Sequence, residues 1–568
     1  MQSEFLAAII EAIFTALGWT GLSWWRRRRE LPRLVRSLRE APGGPARPDI
    51  GGSAPVLSQI YTARRVRRRH PRASSMPKTD HPTDDMFHAP GHILLTGAAG
   101  VGKTVFIWHT VGRLAETWLA NRRSDHAAVT IDAKALVDGV GSVPEVLHAE
   151  YRGRASHIDF SRPPRRARTW LVCVDGLDAI ADAGQRTATL TRLAEVTTQP
   201  SSPIRLLVVA RPLPAEELRL LRGHFHEYTL LEFDDHDLAT FTDRWFAARH
   251  PEQPRPGHGD EPATGDPARF LAWAADQGIG SIVHNPLLAT IAVLVWERAP
   301  GAVVTGLEPL FERFISLLLA TGRAAVLATA DAIRLAPDGA ETAAWLTAHH
   351  ARLVEVAAAG WLHDGDAVGA VNRWAAASAP TPPKRLTVDW DRQVRRILTS
   401  CGLFTADSSV PRPEWTSVAE YLAAGPLARA WRESTWFEAM ADPTRRRTAW
   451  YALVRAEIDQ VGFLRQISGQ ARGAAVAGQL LVMGFAVDPA LRSDLVTALL
   501  LHAYPDPTTP TRDDPTAGAA SRTLLFTLAD EARHRRVVRS IASDPSRSAG
   551  IRRAAARFLA ARGTGSHG

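Results

Sequence analysis

The sequence predicts an α/β fold with a parallel sheet and helices on both faces, followed by helical domains. Four short apolar runs have the length of buried strands: His92–Thr96, Val129–Ile131, Trp170–Val174 and Ile204–Ala210. Segments with helical periodicity alternate with these runs, which is the pattern of a parallel sheet covered on both faces. Beyond about residue 235 the strand-like runs largely stop and helical periodicity continues, so we expect the rest of the chain to be helical.

The composition is that of an ordinary globular protein. The chain has 568 residues, of which 45% are hydrophobic and 22% are charged, and this length suggests roughly three to four domains. Two cysteines, Cys173 and Cys401, are too few for a disulfide scaffold. Cys173 falls within a predicted core strand, which favours a small buried side chain over a nucleophile. The 20 histidines show no spacing typical of a metal site.

Positive charge is concentrated in an N-terminal arm. The net charge is +9, and residues 1–75 hold 14 arginines against 5 acidic residues, which accounts for all of it. Residues 76–568 are therefore close to neutral as a whole. A net charge near zero argues against nucleic-acid binding by these residues, although a basic surface can exist on a protein whose total charge is zero. We do not expect nucleic acid as a partner.

The first apolar segment, Phe5–Trp25, has 21 residues and one charge, Glu11. Tryptophans end it and Arg26–Arg29 follow, an order typical of a segment that crosses a bilayer with its positive end in the cytoplasm. Because no positive flank precedes the run, it is not a cleavable signal peptide. A helix that lies on a membrane or packs on protein fits the same residues. We expect a cytoplasmic body, which residues 5–25 can anchor to the inner face of the plasma membrane.

A second amphipathic segment follows the first. Pro32 can begin a helix. The apolar stripe of this helix consists of Leu31, Leu34, Val35 and Leu38, and arginines surround it. Such a stripe suits either anionic lipid or packing against protein. Residues 41–53 are rich in Gly and Pro and predict a linker, and a basic cluster spans residues 64–72.

A glycine-rich motif carries the clearest chemical signal. The run Gly97-Ala98-Ala99-Gly100-Val101-Gly102-Lys103-Thr104 fits G-x-x-x-x-G-K-[ST], between a predicted strand and a predicted helix. In such a loop the backbone N–H groups of residues 97–102 surround a β-phosphate. The Lys103 ammonium reaches the β- and γ-phosphate oxygens, and the Thr104 hydroxyl coordinates Mg²⁺. Because lysine occurs at only four positions in this chain, its presence here is a specific signal for nucleotide binding.

Two further strand ends predict the rest of the site. Asp175 directly follows the apolar run Leu171–Val174, where its carboxylate would hold the Mg²⁺ shell through water, and Asp178 could orient a nucleophilic water. Arg211 follows the run Ile204–Ala210, and an arginine at that edge can sense a γ-phosphate. We therefore expect a catalytic set of Lys103, Asp175, Asp178 and Arg211.

Together these motifs resemble those of the NACHT group of STAND NTPases, which includes animal NLR immune sensors and many bacterial defence proteins. Five further runs are similar to segments of that family: Leu57–Tyr61, His284–Leu288, Leu310–Phe314, Cys401–Phe404 and Ser417–Ala424. The first resembles the segment before the phosphate-binding loop, or P-loop, which here would be residues 97–104. The second resembles a helical-domain motif, and the last two resemble the end of a winged-helix domain. The resemblance covers roughly residues 54–424, about two thirds of the chain.

The resemblance implies a domain order and a set of ligands. The order is an N-terminal hydrophobic or amphipathic helix with a basic arm (1–50), a NACHT nucleotide-binding domain (54–235), a helical domain (236–300), a helical and winged-helix-like domain (301–424) and a repeat-like α-helical C-terminal domain (425–568). The implied ligands are ATP or ADP with Mg²⁺, and Pro286 would contact the base.

The resemblance further implies a signalling switch in bacterial defence or stress. ADP would hold the domains together, a trigger at the C-terminal region would let ATP replace ADP, and protomers would assemble into a homo-oligomer. Ala179 stands where the family usually has glutamate, which predicts slow hydrolysis, and Trp415 replaces a histidine that contacts ADP. Three alternatives stay open: an AAA+-like mechanical ATPase, a non-hydrolysing, nucleotide-stabilised scaffold at the membrane, and a nucleic-acid-binding regulator.

Overall fold

The computed structural model describes residues 31–38, 57–68, 80–249 and 266–564, with short gaps. The gaps fall at 121–123, 156, 178–179, 181, 200–201, 214, 300, 305, 386–388, 406–410, 414, 484, 486, 506–514 and 529–531. The predictions made for Phe5–Trp25, for the linker 41–53 and for Asp178 and Ala179 therefore lie outside the described residues.

The chain divides into two compact units. The described residues of unit 1 fall within Met1–Arg69, Lys78–Val354 and His363–Val418, and those of unit 2 fall within Glu355–Leu362 and Ala419–Gly568. Unit 1 contains the sheet, and the described part of unit 2 is helical. The domain boundaries suggested by the resemblance stay predictions.

A seven-stranded sheet lies at the centre of the described part of unit 1. Its strands are β1 Arg65–Arg68, β2 Asp80–Pro82, β3 His92–Thr96, β4 Ser124–Asp132, β5 Ala167–Asp175, β6 Ile204–Ala210 and β7 Phe225–Leu230. Their order across the sheet is β2-β1-β7-β3-β6-β5-β4. Neighbouring strands from β7 to β4 run parallel, whereas β1 runs antiparallel to both β2 and β7.

The four strands predicted from apolar runs are present. Strands β3 and β6 have the predicted bounds, and β4 and β5 extend beyond the predicted runs to nine residues each. Every residue of β6 is buried, because helices cover both faces of the parallel part of the sheet. The mostly parallel α/β architecture is therefore confirmed.

The sheet is mixed, which corrects the expectation of a purely parallel one. The basic cluster that begins at Arg64 supplies strand β1, in which Val66 is fully buried and the neighbouring arginines form ion pairs. Arg67 Nε lies 2.9 Å from an Asp80 oxygen, and Arg65 Nη2 lies 3.0 Å from Asp237 Oδ2. An antiparallel strand near the edge of a sheet can pack one face on the core and leave the other to solvent, so its sequence does not form an apolar run.

Ten described helices accompany the sheet. They are α1 (31–38), α2 Leu57–Ile60, α3 Asp85–His88, α4 Lys103–Leu119, α5 Ala133–Asp138, α6 Val143–Glu150, α7 Arg152–Ala155, α8 Ala183–Thr197, α9 Ala215–Leu221 and α10 Asp235–Arg249. Aromatic side chains fill the space between them and the strands: Phe106, Phe160 and Trp170 are at most 2% exposed.

Helix α1 packs against protein. Its four apolar residues are between 1% and 7% exposed and belong to the same buried cluster as the strands of the sheet. Arg33 and Arg36 lie on the exposed side of the helix. Of the two interpretations of this stripe, packing against protein is therefore the one that the structure adopts.

The described chain beyond α10 is largely helical, as predicted. The helices are α11 Pro267–Asp276, α12 Pro286–Arg298, α13 Leu307–Arg334, α14 Gly339–Asp364, α15 Ala367–Ser378, α16 Trp390–Ser400, α17 Thr416–Arg429, α18 Glu433–Ala441, α19 Arg446–Arg455, α20 Gln460–Ser468, α21 Ala471–Val482, α22 Pro489–Ala503, α23 Pro515–Leu528, α24 Ala532–Ser543 and α25 Ala549–Thr564. Between α16 and α17, a single β-bridge joins Phe404 to Pro413. The winged-helix assignment stays a prediction.

Helix α13 has the length and apolar composition of a membrane span, and it is the one such helix among the described residues. Its apolar side is covered by protein, since Leu310, Phe311, Phe314 and Leu318 are all 0% exposed. These residues make α13 a core helix of unit 1.

Candidate functional site

The glycine-rich motif forms a tight loop between β3 and α4. Gly100 and Gly102 have φ values of +77° and +93°, which glycine adopts without steric cost. The Gly97 N–H donates to the Ala210 carbonyl oxygen over 3.2 Å, so the loop starts against the end of β6. Helix α4 then begins at Lys103, and its first-turn N–H groups border the loop. The loop therefore has the backbone form of an anion-binding turn at a helix N-terminus.

The Lys103 side chain folds back over this loop. Its ammonium donates to the Gly97 carbonyl oxygen at 2.9 Å and to the Ala98 carbonyl oxygen at 3.0 Å. The positive charge is thus held at the concave side of the turn, next to the first N–H groups of α4. A polyphosphate at this place would meet an ammonium, a helix N-terminus and backbone N–H groups together.

Thr104 and Asp175 meet at the same edge of the sheet. The Thr104 hydroxyl donates to Asp175 Oδ2 over 2.7 Å, and the Gly176 N–H donates to Asp175 Oδ1 over 2.9 Å. A hydroxyl and a carboxylate are ligands that Mg²⁺ accepts, with phosphate oxygens and water completing its octahedron. The donor set therefore fits Mg²⁺ bound together with a nucleotide. Within the described residues, no group of three or more His, Cys, Asp or Glu side chains offers a metal centre made of protein alone.

The strand order places the predicted arginine between these groups. Strand β6 lies between β3, which precedes the loop, and β5, which ends at Asp175. Arg211 follows directly after β6 and is partly buried. It therefore stands at the carboxyl edge of the sheet, between the strands that carry the loop and Asp175. Asp178 lies outside the described residues, so its role stays a prediction.

Asn285 lies within the run His284–Leu288 that the sequence singled out, but it was not predicted as a site residue. Its Nδ2 donates to the Ala99 carbonyl oxygen at 2.9 Å and to Glu232 Oε1 at 3.3 Å, and its side chain is buried. The Leu287 N–H donates to the Gly100 carbonyl oxygen at 3.1 Å. The start of α12, which includes the predicted base contact Pro286, thus packs directly on the P-loop backbone. An Asn before Pro at a helix start was the available signal, because it is a typical N-cap pair.

The segment before β1 approaches the same region. Tyr61 stacks on His109 of α4 with ring centroids 3.6 Å apart, and Arg64 lies over the Phe233 ring at 4.5 Å. Arg64 also donates to the Leu231 carbonyl oxygen. Burial lowers the pKa of Arg64 to about 10, so its guanidinium stays charged at neutral pH. The stretch predicted to precede the P-loop therefore packs on α4 and on the chain that leaves β7.

Both cysteines are buried and free. Burial raises the pKa of the Cys401 thiol to about 11 and also raises that of Cys173. Neither thiol is poised as a nucleophile, because the thiolate is the reactive form. Cys173, within β5, is a small apolar core residue as predicted.

The comparisons with known proteins assign no family. No family model matches the chain, and no curated protein matches it.

Proposed function

We propose that this protein is a nucleotide-dependent switch that binds ATP or ADP with Mg²⁺ at residues 97–104. The observation that carries the proposal is the 2.7 Å contact between Thr104 and Asp175, because it joins the P-loop to the acidic strand end. Lys103 would neutralise the phosphates, and Arg211 would approach a γ-phosphate from β6. The mostly parallel sheet, with the loop at its carboxyl edge, is consistent with this assignment.

A switch needs a second element that responds to the nucleotide. The start of α12 is suited to that role, because Asn285 and Leu287 hydrogen-bond to the carbonyl groups of Ala99 and Gly100. Phosphate binding that reorients these peptide groups would change the two contacts. Pro286 lies between Asn285 and Leu287 in the sequence and would contact the base of the nucleotide.

The way in which this switch would work is proposed from the resemblance to NACHT-type STAND proteins. In this proposal hydrolysis is slow, protomers assemble into homo-oligomers in the ATP state, and a trigger of unknown identity acts on the C-terminal helices. The role would be in bacterial defence or stress signalling.

Residues 5–25 would bring the assembled protein to the inner face of the plasma membrane. Deleting residues 1–30 should move the protein from sedimented anionic vesicles into the supernatant. An unchanged distribution would remove the membrane part of the proposal.

The direct test is mass spectrometry of nucleotide released from the purified native protein. We expect ADP or ATP at close to one equivalent, and its loss in Lys103→Ala. Lys134→Ala is the matched control, since it removes the same charge from an exposed side chain on α5. Native protein that purifies empty, and stays empty when millimolar ATP and Mg²⁺ are added, contradicts the proposal.

A further inference from the structure

A second carboxylate lies at the carboxyl edge of the sheet, next to the one already described. Asp132 is the last residue of β4, and its register partner on the neighbouring strand β5 is Asp175. Since the two strands are parallel, both acids leave the sheet at the same edge. A Cβ added at Gly176 would lie 3.3 Å from Asp132 Oδ1, so this carboxylate reaches the backbone directly after Asp175.

The two oxygens of Asp132 have different partners. Oδ1 accepts from the Lys134 N–H at 2.9 Å and caps α5. Oδ2 lies 3.4 Å from Nη1 of Arg412, which is 280 residues later in the chain. Capping explains the first contact but not the second, because one oxygen suffices for an N-cap.

Arg412 belongs to the connection between α16 and α17. Its carbonyl oxygen accepts from the Thr405 N–H at 2.8 Å, beside the bridge between Phe404 and Pro413. The side chains of Arg412 and Asp132 are 54% and 48% exposed. An ion pair this exposed is weak and screened by salt, so it can be broken and remade at low cost.

We propose that Asp132, in place of Asp178, is the water-positioning carboxylate of the nucleotide site, and that Arg412 restrains it in the conformation described here. The inference rests on the proposed nucleotide site and adds its regulation. Asp132 would also replace the acid that the resemblance leads us to expect at position 179, where this chain has alanine. The acid comes from the strand beside β5 rather than from the loop after it.

The reaction is the hydrolysis of the terminal phosphoanhydride. Asp132 accepts a hydrogen bond, and then the proton, from a water whose oxygen attacks the γ-phosphorus. The bond from that phosphorus to the β–γ bridging oxygen breaks, and its electron pair leaves with ADP. The proton passes from the carboxylate to the products, which are ADP and inorganic phosphate. While Arg412 is paired with Asp132, Oδ2 is held by the guanidinium and Oδ1 by the Lys134 N–H, so the carboxylate does not take up this water and hydrolysis stays slow.

The test measures single-turnover phosphate release and mant-ATP binding with the full-length chain. Asp132→Asn is the central variant, because asparagine caps a helix as well as aspartate does, so the fold is kept while the carboxylate and its ion pair with Arg412 are lost. We expect its rate to fall about 100-fold, the usual contribution of a general base, while the Kd for mant-ATP changes less than twofold. Asp138→Asn, exposed at the other end of α5, is the matched control and should hydrolyse like the native protein.

Arg412 tests the restraint. Arg412→Ala should raise the rate by up to about fivefold, which corresponds to the loss of an exposed ion pair, and Arg412→Lys should stay near the native rate. Raising the salt concentration should accelerate the native protein but not Arg412→Ala. In the double variant of Asp132→Asn with Arg412→Ala, the faster phosphate release expected for Arg412→Ala alone should be lost.

Each outcome separates the two proposals. If native protein fails to bind mant-ATP, the nucleotide site itself is wrong. If native protein binds mant-ATP but Asp132→Asn releases phosphate at the native rate, the assignment of Asp132 is overturned. It is also overturned if neither native protein nor Arg412→Ala releases phosphate. If Asp132→Asn is slow and Arg412→Ala is unchanged, the restraint is overturned.

Discussion

The Thr104 hydroxyl donates to Asp175 Oδ2 over 2.7 Å, across 71 residues of sequence. Thr104 stands in the first turn of α4, and Asp175 ends β5, two strands away from the strand that precedes the P-loop. The contact exists because α4 begins at the edge where the parallel strands end. A hydroxyl and a carboxylate that are already in contact can serve the same Mg²⁺ without a large rearrangement.

Thr104→Val should abolish the Mg²⁺-dependent part of nucleotide affinity. Valine keeps the shape of threonine but lacks the hydroxyl oxygen that would bind the metal, whereas Thr104→Ser retains it. Calorimetric titration of ADP with Mg²⁺ and with EDTA gives the difference. Thr117→Val on the same helix, whose hydroxyl only bonds the Arg113 carbonyl oxygen, is the control. A full Mg²⁺ effect in Thr104→Val would contradict the assignment.

Gly100→Ala should weaken both folding and nucleotide binding. The residue has φ +77°, and a Cβ there would lie 2.5 Å from Asn285 Oδ1. The left-handed conformation alone costs about 1–2 kcal/mol for alanine, and the Asn285 side chain has to move as well. Urea denaturation should show a lower free energy of unfolding. Gly112→Ala, in open space within α4, should be neutral or stabilising.

Leu34→Ala should destabilise unit 1 by about 2–5 kcal/mol, the usual range for a buried leucine. Leu34 is 1% exposed and packs in the same cluster as the sheet. Arg36→Ala, on the exposed side of α1, should change stability little. The measurement is urea denaturation followed by tryptophan fluorescence. Equal stability of the two variants would mean that α1 does not pack on the core in solution.

The sheet should lose stability as the pH falls from about 6.5 towards 4. His126 accepts at Nε2 from Arg205 Nη1 over 3.0 Å, so its proton lies on Nδ1 and points to Thr169 Oγ1 at 2.7 Å. Burial, and then the charge of Arg205, lower the pKa of His126 to about 4, and the pKa of His92 is lowered to about 4 for the same reasons.

Because these histidines are neutral when folded but protonate near pH 6.5 when unfolded, their contribution is complete above pH 6.5. It decreases as the unfolded state takes up protons and is lost near pH 4. Calorimetric Tm values at pH 7.5, 6 and 5 should therefore fall more steeply for native protein than for His126→Gln. The control is His236→Gln, which changes an exposed histidine and should give the same dependence of Tm on pH as native protein. Parallel slopes for native protein and His126→Gln would refute the prediction.

Local sequence patterns predicted the parts of the fold that depend on neighbouring residues. The glycines, Lys103 and Thr104 are adjacent in the chain, and the loop they form needs only its own backbone and a strand and helix on either side. The apolar runs of β3 and β6 identified buried strands because both of their faces are covered. Strands β1 and β7 were missed because each mixes buried residues with partly exposed polar ones, and β2 was missed because none of its three residues is buried.

The sequence alone thus determined the glycine-rich loop between a strand and a helix, the α/β class of the first part and the helical class of the second. Tertiary structure alone decided which distant groups meet: Asn285 with Ala99 across 186 residues, and Asp132 with Arg412 across 280. Nothing in a local pattern encodes such pairs, since they depend on strand order and on the helices that bring the later segments back to the sheet. Hydrogen-bond and charge contacts act over a few ångströms, so only the folded chain sets them.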